Sequence, residues 1–142
     1  MKYLLDSSVL SELRKQRRCD PALTRWYAES KREGMCTSVL VIGELRRGIE
    51  RLRRRDPASA NALDGWLHEI RRRYSGRILP VDEAVADAWG RLGVPDPVPA
   101  VDGLLAATAL VHGLVLATRN VEDVASTGVR AVNPFDAYFA SR

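Results

Sequence analysis

Lys2-Tyr3-Leu4-Leu5-Asp6-Ser7-Ser8-Val9-Leu10 decides how the chain is read: a short apolar run ends on a carboxylate and two hydroxyls, and a second apolar stretch follows at once. The pattern predicts a strand over 2–5 whose carboxyl end feeds the N-cap of a helix over 9–16. The same alternation runs outward from there. Asp20-Pro21 opens a second helix, through Trp26 and Tyr27, that stops at Gly34, and 35–38 reads as a brief strand. Val41, Leu45, Ile49 and Leu52 recur at helical spacing and define an amphipathic helix to about Arg55, with a further helix over 57–74. Then come a strand over 77–81, a helix capped by Asp82 and closed by Gly93, and a proline-rich loop over 94–98. A nearly all-apolar helix (100–112), an apolar strand (114–117), a turn (118–120), a short strand (130–132) and a terminal helix around 136–139 complete the chain. Strands separated by helices imply crossover connections. The fold class is therefore α/β: a parallel sheet of about four or five strands with helices on both faces, in three layers.

A length of 142 residues suits one domain over 1–142, and 46% hydrophobic with 28% charged residues supplies a core and excludes compositional disorder. No apolar run approaches the roughly 20 residues of a spanning helix. Asp6 and Glu12 fall where a secretory signal would be uncharged, so neither membrane insertion nor secretion is expected. Cys19 and Cys36 lack CxxC spacing and histidine neighbours, which suits a reducing cytoplasm rather than a zinc site or disulfide. The formal net charge is +4 and the pI about 9.4. Only Lys2, Lys15 and Lys31 of the 22 basic residues are lysines; the arginines cluster at 46, 47, 51 and 53–55 and again at 71–73. Guanidinium forks match phosphate geometry, which favours a nucleic-acid partner, although solvated helix faces account for the same charges. His68 and His112 read as structural, and Trp26, Trp66 and Trp89 as core or interface anchors.

Most acids sit among arginines or polar groups; Asp6, Glu44 and Asp102 each stand alone in apolar surroundings. Burying an unpaired carboxylate costs several kcal/mol, roughly, unless a cation or hydrogen-bond donors offset it. Asp6 can serve as a helix cap, and Asp102 in a first helical turn gains from the helix dipole. Glu44 sits mid-helix, where neither helps, with pairing to Arg47 or Arg51 as its structural alternative. Topology adds a constraint, since Asp6 and the turn from Thr118 to Asn120 both follow carboxyl ends of expected strands, the edge where open parallel sheets bind ligands. Three hard oxygen ligands without Cys or a suitable His select Mg²⁺, or Mn²⁺ as a substitute, over zinc. Carboxylate-held Mg²⁺ in a basic protein points to metal-activated water attacking a phosphodiester.

Leu4-Leu5-Asp6-Ser7-Ser8-Val9-Leu10, Ile42-Gly43-Glu44-Leu45-Arg46-Arg47-Gly48, Gly76-Arg77-Ile78-Leu79-Pro80, Ala100-Val101-Asp102-Gly103-Leu104-Leu105-Ala106, Leu116-Ala117-Thr118-Arg119-Asn120-Val121-Glu122-Asp123 and Asn133-Pro134-Phe135, in this order and over nearly the whole chain, resemble the PIN domains of VapC-type toxins. The resemblance implies a Mg²⁺-dependent endoribonuclease of a toxin–antitoxin pair, blocked by a VapB-like antitoxin, cytoplasmic and homodimeric, with RNA as substrate. Carried over by position, Asp6, Glu44 and Asp102 are the catalytic, metal-binding acids. Asn120 stands where many relatives place a fourth acid, with Asp123 one turn further on as a substitute. Ser8 stands where the family often has Asn, and Thr118 offers a hydroxyl. Arg46 and Arg47 are the candidate RNA contacts.

Other classes fit less well. A receiver module needs a lysine after a late strand, and none follows Lys31; a dehalogenase-type phosphatase needs an acid where Ser8 stands. A dinucleotide-binding turn would be glycine-rich, unlike Asp6-Ser7-Ser8. A non-catalytic PIN-like RNA-binding or scaffold module remains the alternative.

Overall fold

Residues 1–136 are described by a computed structural model of the chain. The elements are β1 (Tyr3–Leu5), α1 (Ser7–Leu13), α2 (Pro21–Ser30), β2 (Met35–Ser38), α3 (Val39–Arg53), α4 (Pro57–Arg73), β3 (Ile78–Leu79), α5 (Glu83–Leu92), α6 (Ala100–His112), β4 (Val115–Ala117) and β5 (Ala131–Val132). β1, β2 and β4 are buried at every position, which explains why they read as unbroken runs without alternation. Side chains end the surrounding helices on cue. Asp20, Ser38, Asp56 and Asp82 each accept a backbone N–H in the first turn of the helix they precede. Gly113, at φ +65°, closes α6 in the left-handed conformation.

The five strands are all parallel in the order β3-β2-β1-β4-β5, between layers of helices. The chain runs outward from β1 to β2 and β3, then returns to the other side of β1 for β4 and β5. The order therefore reverses between β1 and β4, where the crossover helices diverge and leave a crevice. Register carries both flanking segments to that edge: Leu5 pairs with Ala117, Asp6 N donates to Ala117 O at 3.0 Å, and Thr118 N donates to Val132 O at 3.0 Å. Beneath them Leu4, Leu5, Val9, Leu10, Leu105 and Leu116 are almost wholly buried.

The structure trims several expected boundaries. The helix expected over 9–16 begins at Ser7, because Asp6 alone is the cap, and ends at Leu13; Gln16 at φ +52° could not continue it. The strand expected over 77–81 is only Ile78–Leu79, since Pro80 has no N–H to give a ladder and Val81 is exposed. A 3₁₀ segment, Val121–Thr127, follows the turn after β4 where no regular element was expected. Beyond Asp136, the terminal helix expected around 136–139 lies outside the described residues. No helix among the described residues is long and apolar enough to cross a membrane.

Gly34 ties the amino-terminal strand to β2. It sits at φ +93°, its carbonyl accepts from Lys2 N (2.9 Å) and Tyr3 N (3.1 Å), and a Cβ added there would lie 2.9 Å from Met1 Cα. Gly34→Ala is expected to destabilise the protein by about 1–3 kcal/mol, because backbone strain and a backbone contact act together. Chemical denaturation measures it, and a loss below about 0.5 kcal/mol would show that the turn relaxes freely.

Candidate active site

Asp6 is the N-cap of α1 and is only 7% exposed. Four donors converge on it. Oδ1 accepts from Ser7 N and from Ser7 Oγ at 3.2 Å; Oδ2 accepts from Thr118 Oγ1 at 2.6 Å and from Ser8 Oγ at 3.3 Å. Such a set fixes both oxygens without placing a cation beside them. Thr118 is positioned in turn by Asn120 N, which donates to its Oγ1 at 3.1 Å, so its proton is committed to Asp6. The hydroxyl of Thr118 thus joins the end of β4 to the end of β1, and it also supports the turn that follows.

Glu44 reaches this cluster from the second turn of α3. Its Oε1 lies 3.3 Å from Ser7 Oγ, the same hydroxyl that serves Asp6. One proton cannot satisfy two carboxylates at once. Burial, followed by the negative charge of Asp6, raises the Glu44 pKa above the ordinary carboxylate range; Asp102 adds to the shift, while the Ser7 hydrogen bond and the Arg47 charge oppose it. Asp102, in the first turn of α6, is likewise raised, by burial first and then by the charges of Asp123 and Asp6. Asp6, Glu44, Asp102 and Asp123 therefore form one electrostatically linked acidic group drawn from four elements.

The remaining expected residues divide. Asp123, in the 3₁₀ segment, enters the group through its charge on Asp102, whereas Asn120 is exposed and contributes its backbone N–H to Thr118. Ser8 Oγ donates to Asp6 and accepts from Arg119 N at 3.3 Å. Arg46 is paired: its guanidinium is bound by Asp64 (2.6 Å) and Glu50 (3.2 Å) and helps clamp α3 to α4. Arg47 stays exposed beside Glu44. Sequence reasoning missed Ser7, whose bridging hydroxyl is invisible without the packing of α1 on α3.

The donor set is carboxylate and hydroxyl oxygen, with no thiol or imidazole, which suits a hard divalent cation of the Mg²⁺ class. The raised pKa values of Glu44 and Asp102 mark charge that such a cation would relieve. The acids are not gathered into a finished coordination shell. Among the described residues no three His, Cys, Asp or Glu side chains stand close enough to hold an ion as they are. A cleft of about 220 Å³ opens beside Glu44 and Ser7, with Arg14, Gly48 and Trp66 on its walls.

Known proteins share this architecture. The PIN domain family matches residues 3–126. The VapC ribonuclease Y4jK of Sinorhizobium fredii is 31% identical over 140 residues, covering 94% of this chain and 97% of its own. Toxin FitB of Neisseria gonorrhoeae is 32% identical over 139 residues, covering 93% and 97%. The crystal structure of FitAcB from Neisseria gonorrhoeae superposes with a TM-score of 0.83 at 30% identity, covering 94% of this chain and 98% of that one.

The shifts have a sign that can be measured. The folded protein holds protons on Glu44 and Asp102 that the unfolded chain releases at lower pH, so these groups cost stability as pH rises from the ordinary carboxylate range through their raised values. In chelator, Glu44→Gln is expected to gain stability relative to the parent as pH rises from about 4 to 7. Thermal unfolding across that range tests it; a difference that does not change with pH would mean that Glu44 titrates as an ordinary surface acid.

Proposed function

This chain belongs to the PIN domain family, and from that premise we propose that it is the ribonuclease toxin of a toxin–antitoxin pair, cleaving RNA phosphodiester bonds in the cytoplasm with a divalent cation. One observation supports the reading: Asp6 at the carboxyl end of β1, Glu44 on α3, Asp102 on α6 and Asp123 in the 3₁₀ segment are electrostatically linked near the switch point of a parallel sheet, and the pKa values of Glu44 and Asp102 are raised by burial first and then by neighbouring negative charge. A fold without such chemistry would have no reason to gather uncompensated charge there.

Asp6, Glu44 and Asp102 are the side chains that would hold the ion, with Asp123, whose charge acts on Asp102, as a further carboxylate. When bound, Mg²⁺ or Mn²⁺ supplies an activated water and neutralises charge on phosphoryl oxygens. The chain's own part is positional. Thr118 and Ser8 keep Asp6 from rotating, Ser7 holds Glu44 near it, and the first turn of α6 carries Asp102 within reach of the Asp6 charge. Asn120, as a neutral amide, can accept or donate a hydrogen bond to substrate or water and cannot act as a base at neutral pH. Arg47 offers a cation at the α3 side of the crevice for the RNA backbone.

Two partners complete the proposal. A VapB-like antitoxin follows from the toxin relatives, and a basic toxin carrying an acidic crevice offers it both charge signs. A second copy of the chain is supported by the apolar side chains left exposed on α5, α6 and the loop between them: Trp89 (42%), Val94 (76%), Leu110 and Val111.

Asp6→Asn and Asp102→Asn are each expected to lower the rate of RNA cleavage by more than about a hundredfold while leaving circular dichroism unchanged. Glu44→Gln should weaken metal binding, raising the Mg²⁺ concentration needed for half-maximal cleavage by about 10–100-fold. Mapping of cleaved ends in total RNA after brief induction, with the Asp6 variant as control, reads the outcome. Undiminished cleavage by the Asp6 variant would reject the site, and no cleavage by the parent chain would favour a non-catalytic RNA-binding module.

A further inference from the structure

Asn133-Pro134-Phe135 and Arg119 are left unused by the acidic group, yet the structure builds them against it. Arg119 lies between Thr118 and Asn120 in the turn after β4. Its backbone is gripped twice: its N–H donates to Ser8 Oγ, which itself donates to Asp6, and its carbonyl accepts from Asn133 Nδ2 at 3.4 Å. Asn133 Oδ1 accepts from Phe135 N at 2.9 Å, which fixes the ring beside that backbone. The guanidinium carbon of Arg119 then sits 3.9 Å from the centroid of the Phe135 ring. One chain of contacts runs from the central carboxylate to a stacked arginine.

The charge of Arg119 is held in place more than it is spent. Among the described residues Arg119 forms an ion pair with Glu12, whose Oε1 is 3.9 Å from Nη2; that oxygen already accepts a hydrogen bond from Lys15 Nζ at 2.9 Å, while Glu12 Oε2 accepts from Asp20 N. The Arg119 side chain is 54% exposed. Contact with the ring restrains the guanidinium without using its N–H donors, and so lowers the entropy lost when those donors engage an anion. Arg46 and Arg53, by contrast, are each bound to two carboxylates.

Given the ribonuclease reading on which this rests, we propose that Arg119, braced by Phe135, binds a backbone phosphate of the RNA next to the one being cleaved. Glu12 follows Ser8 by one helical turn on α1, so the cation near Glu12 stands beside the acidic group and not within it. Its task is to seat the strand across the crevice, and it takes no part in bond breaking. Contact with a phosphate carries no base preference.

The test uses a short single-stranded RNA, with cleavage followed in the parent chain and binding followed by fluorescence anisotropy in the Asp102→Asn background between about 50 and 200 mM salt. Arg119→Ala is expected to raise KM and weaken binding about tenfold for every sequence, with kcat little changed, and to reduce the slope of log K against log salt by about 0.7. Arg119→Lys should keep the slope and regain only part of the affinity, because an ammonium cannot stack flat on the ring. An unchanged slope in Arg119→Ala, or lost thermal stability with a falling kcat, would overturn the phosphate contact and assign Arg119 to supporting the turn, while cleavage by the parent chain left the ribonuclease reading standing. Absence of both cleavage and binding in the parent chain would remove that reading first and this proposal with it.

Discussion

A carboxylate buried at the end of a central strand has to be held by something, and the rest of this structure can be traced from how Asp6 is held. Four hydrogen-bond donors surround it, three of them hydroxyl or backbone groups within two residues and the fourth, Thr118, more than a hundred residues away in sequence. Hydrogen bonds stabilise the charge locally, so Asp6 needs no permanent internal cation. The consequence is an anion fixed at the mouth of the crevice with the strands β1 and β4 locked in register beneath it.

Glu44 and Asp102 occupy the opposite situation. Each is partly buried next to like charge, and neither is matched by an ion pair among the described residues. On the helix that carries Glu44, Arg46 and Arg53 are paired with Glu50 and Asp64, and Arg47, exposed beside Glu44, offsets its shift only in part. A chain with an excess of positive charge overall therefore keeps a pocket of negative charge that it does not quench. That separation favours a mobile cation in the crevice and a polyanion along its rim.

The helices around the crevice are fastened by ordinary means, independent of the acidic group. Caps at Asp20, Ser38, Asp56 and Asp82, the α3–α4 ion pairs and a close-packed core of leucines and valines require nothing of the acidic group. Gly103 shows how closely the layers approach: a Cβ there would meet the Trp89 ring at 3.1 Å, so α6 lies tight against α5 one residue from Asp102. Packing of this kind sets the position of a carboxylate without touching it.

The sequence by itself determined the alternation of strand and helix, the class of the sheet and the three solitary acids, because apolar period, caps and turn residues are local properties written within a few positions of one another. It could not determine that Ser7 bridges Asp6 and Glu44, that Arg46 pairs with Asp64, or that the charge of Asp123 acts on Asp102. Nor could it place the Arg119 guanidinium over the Phe135 ring. Each of those facts depends on two elements being brought side by side by strand order and helix packing, and a linear chain carries no measure of which distant side chains will share one hydroxyl or one cation until the sheet has closed around them.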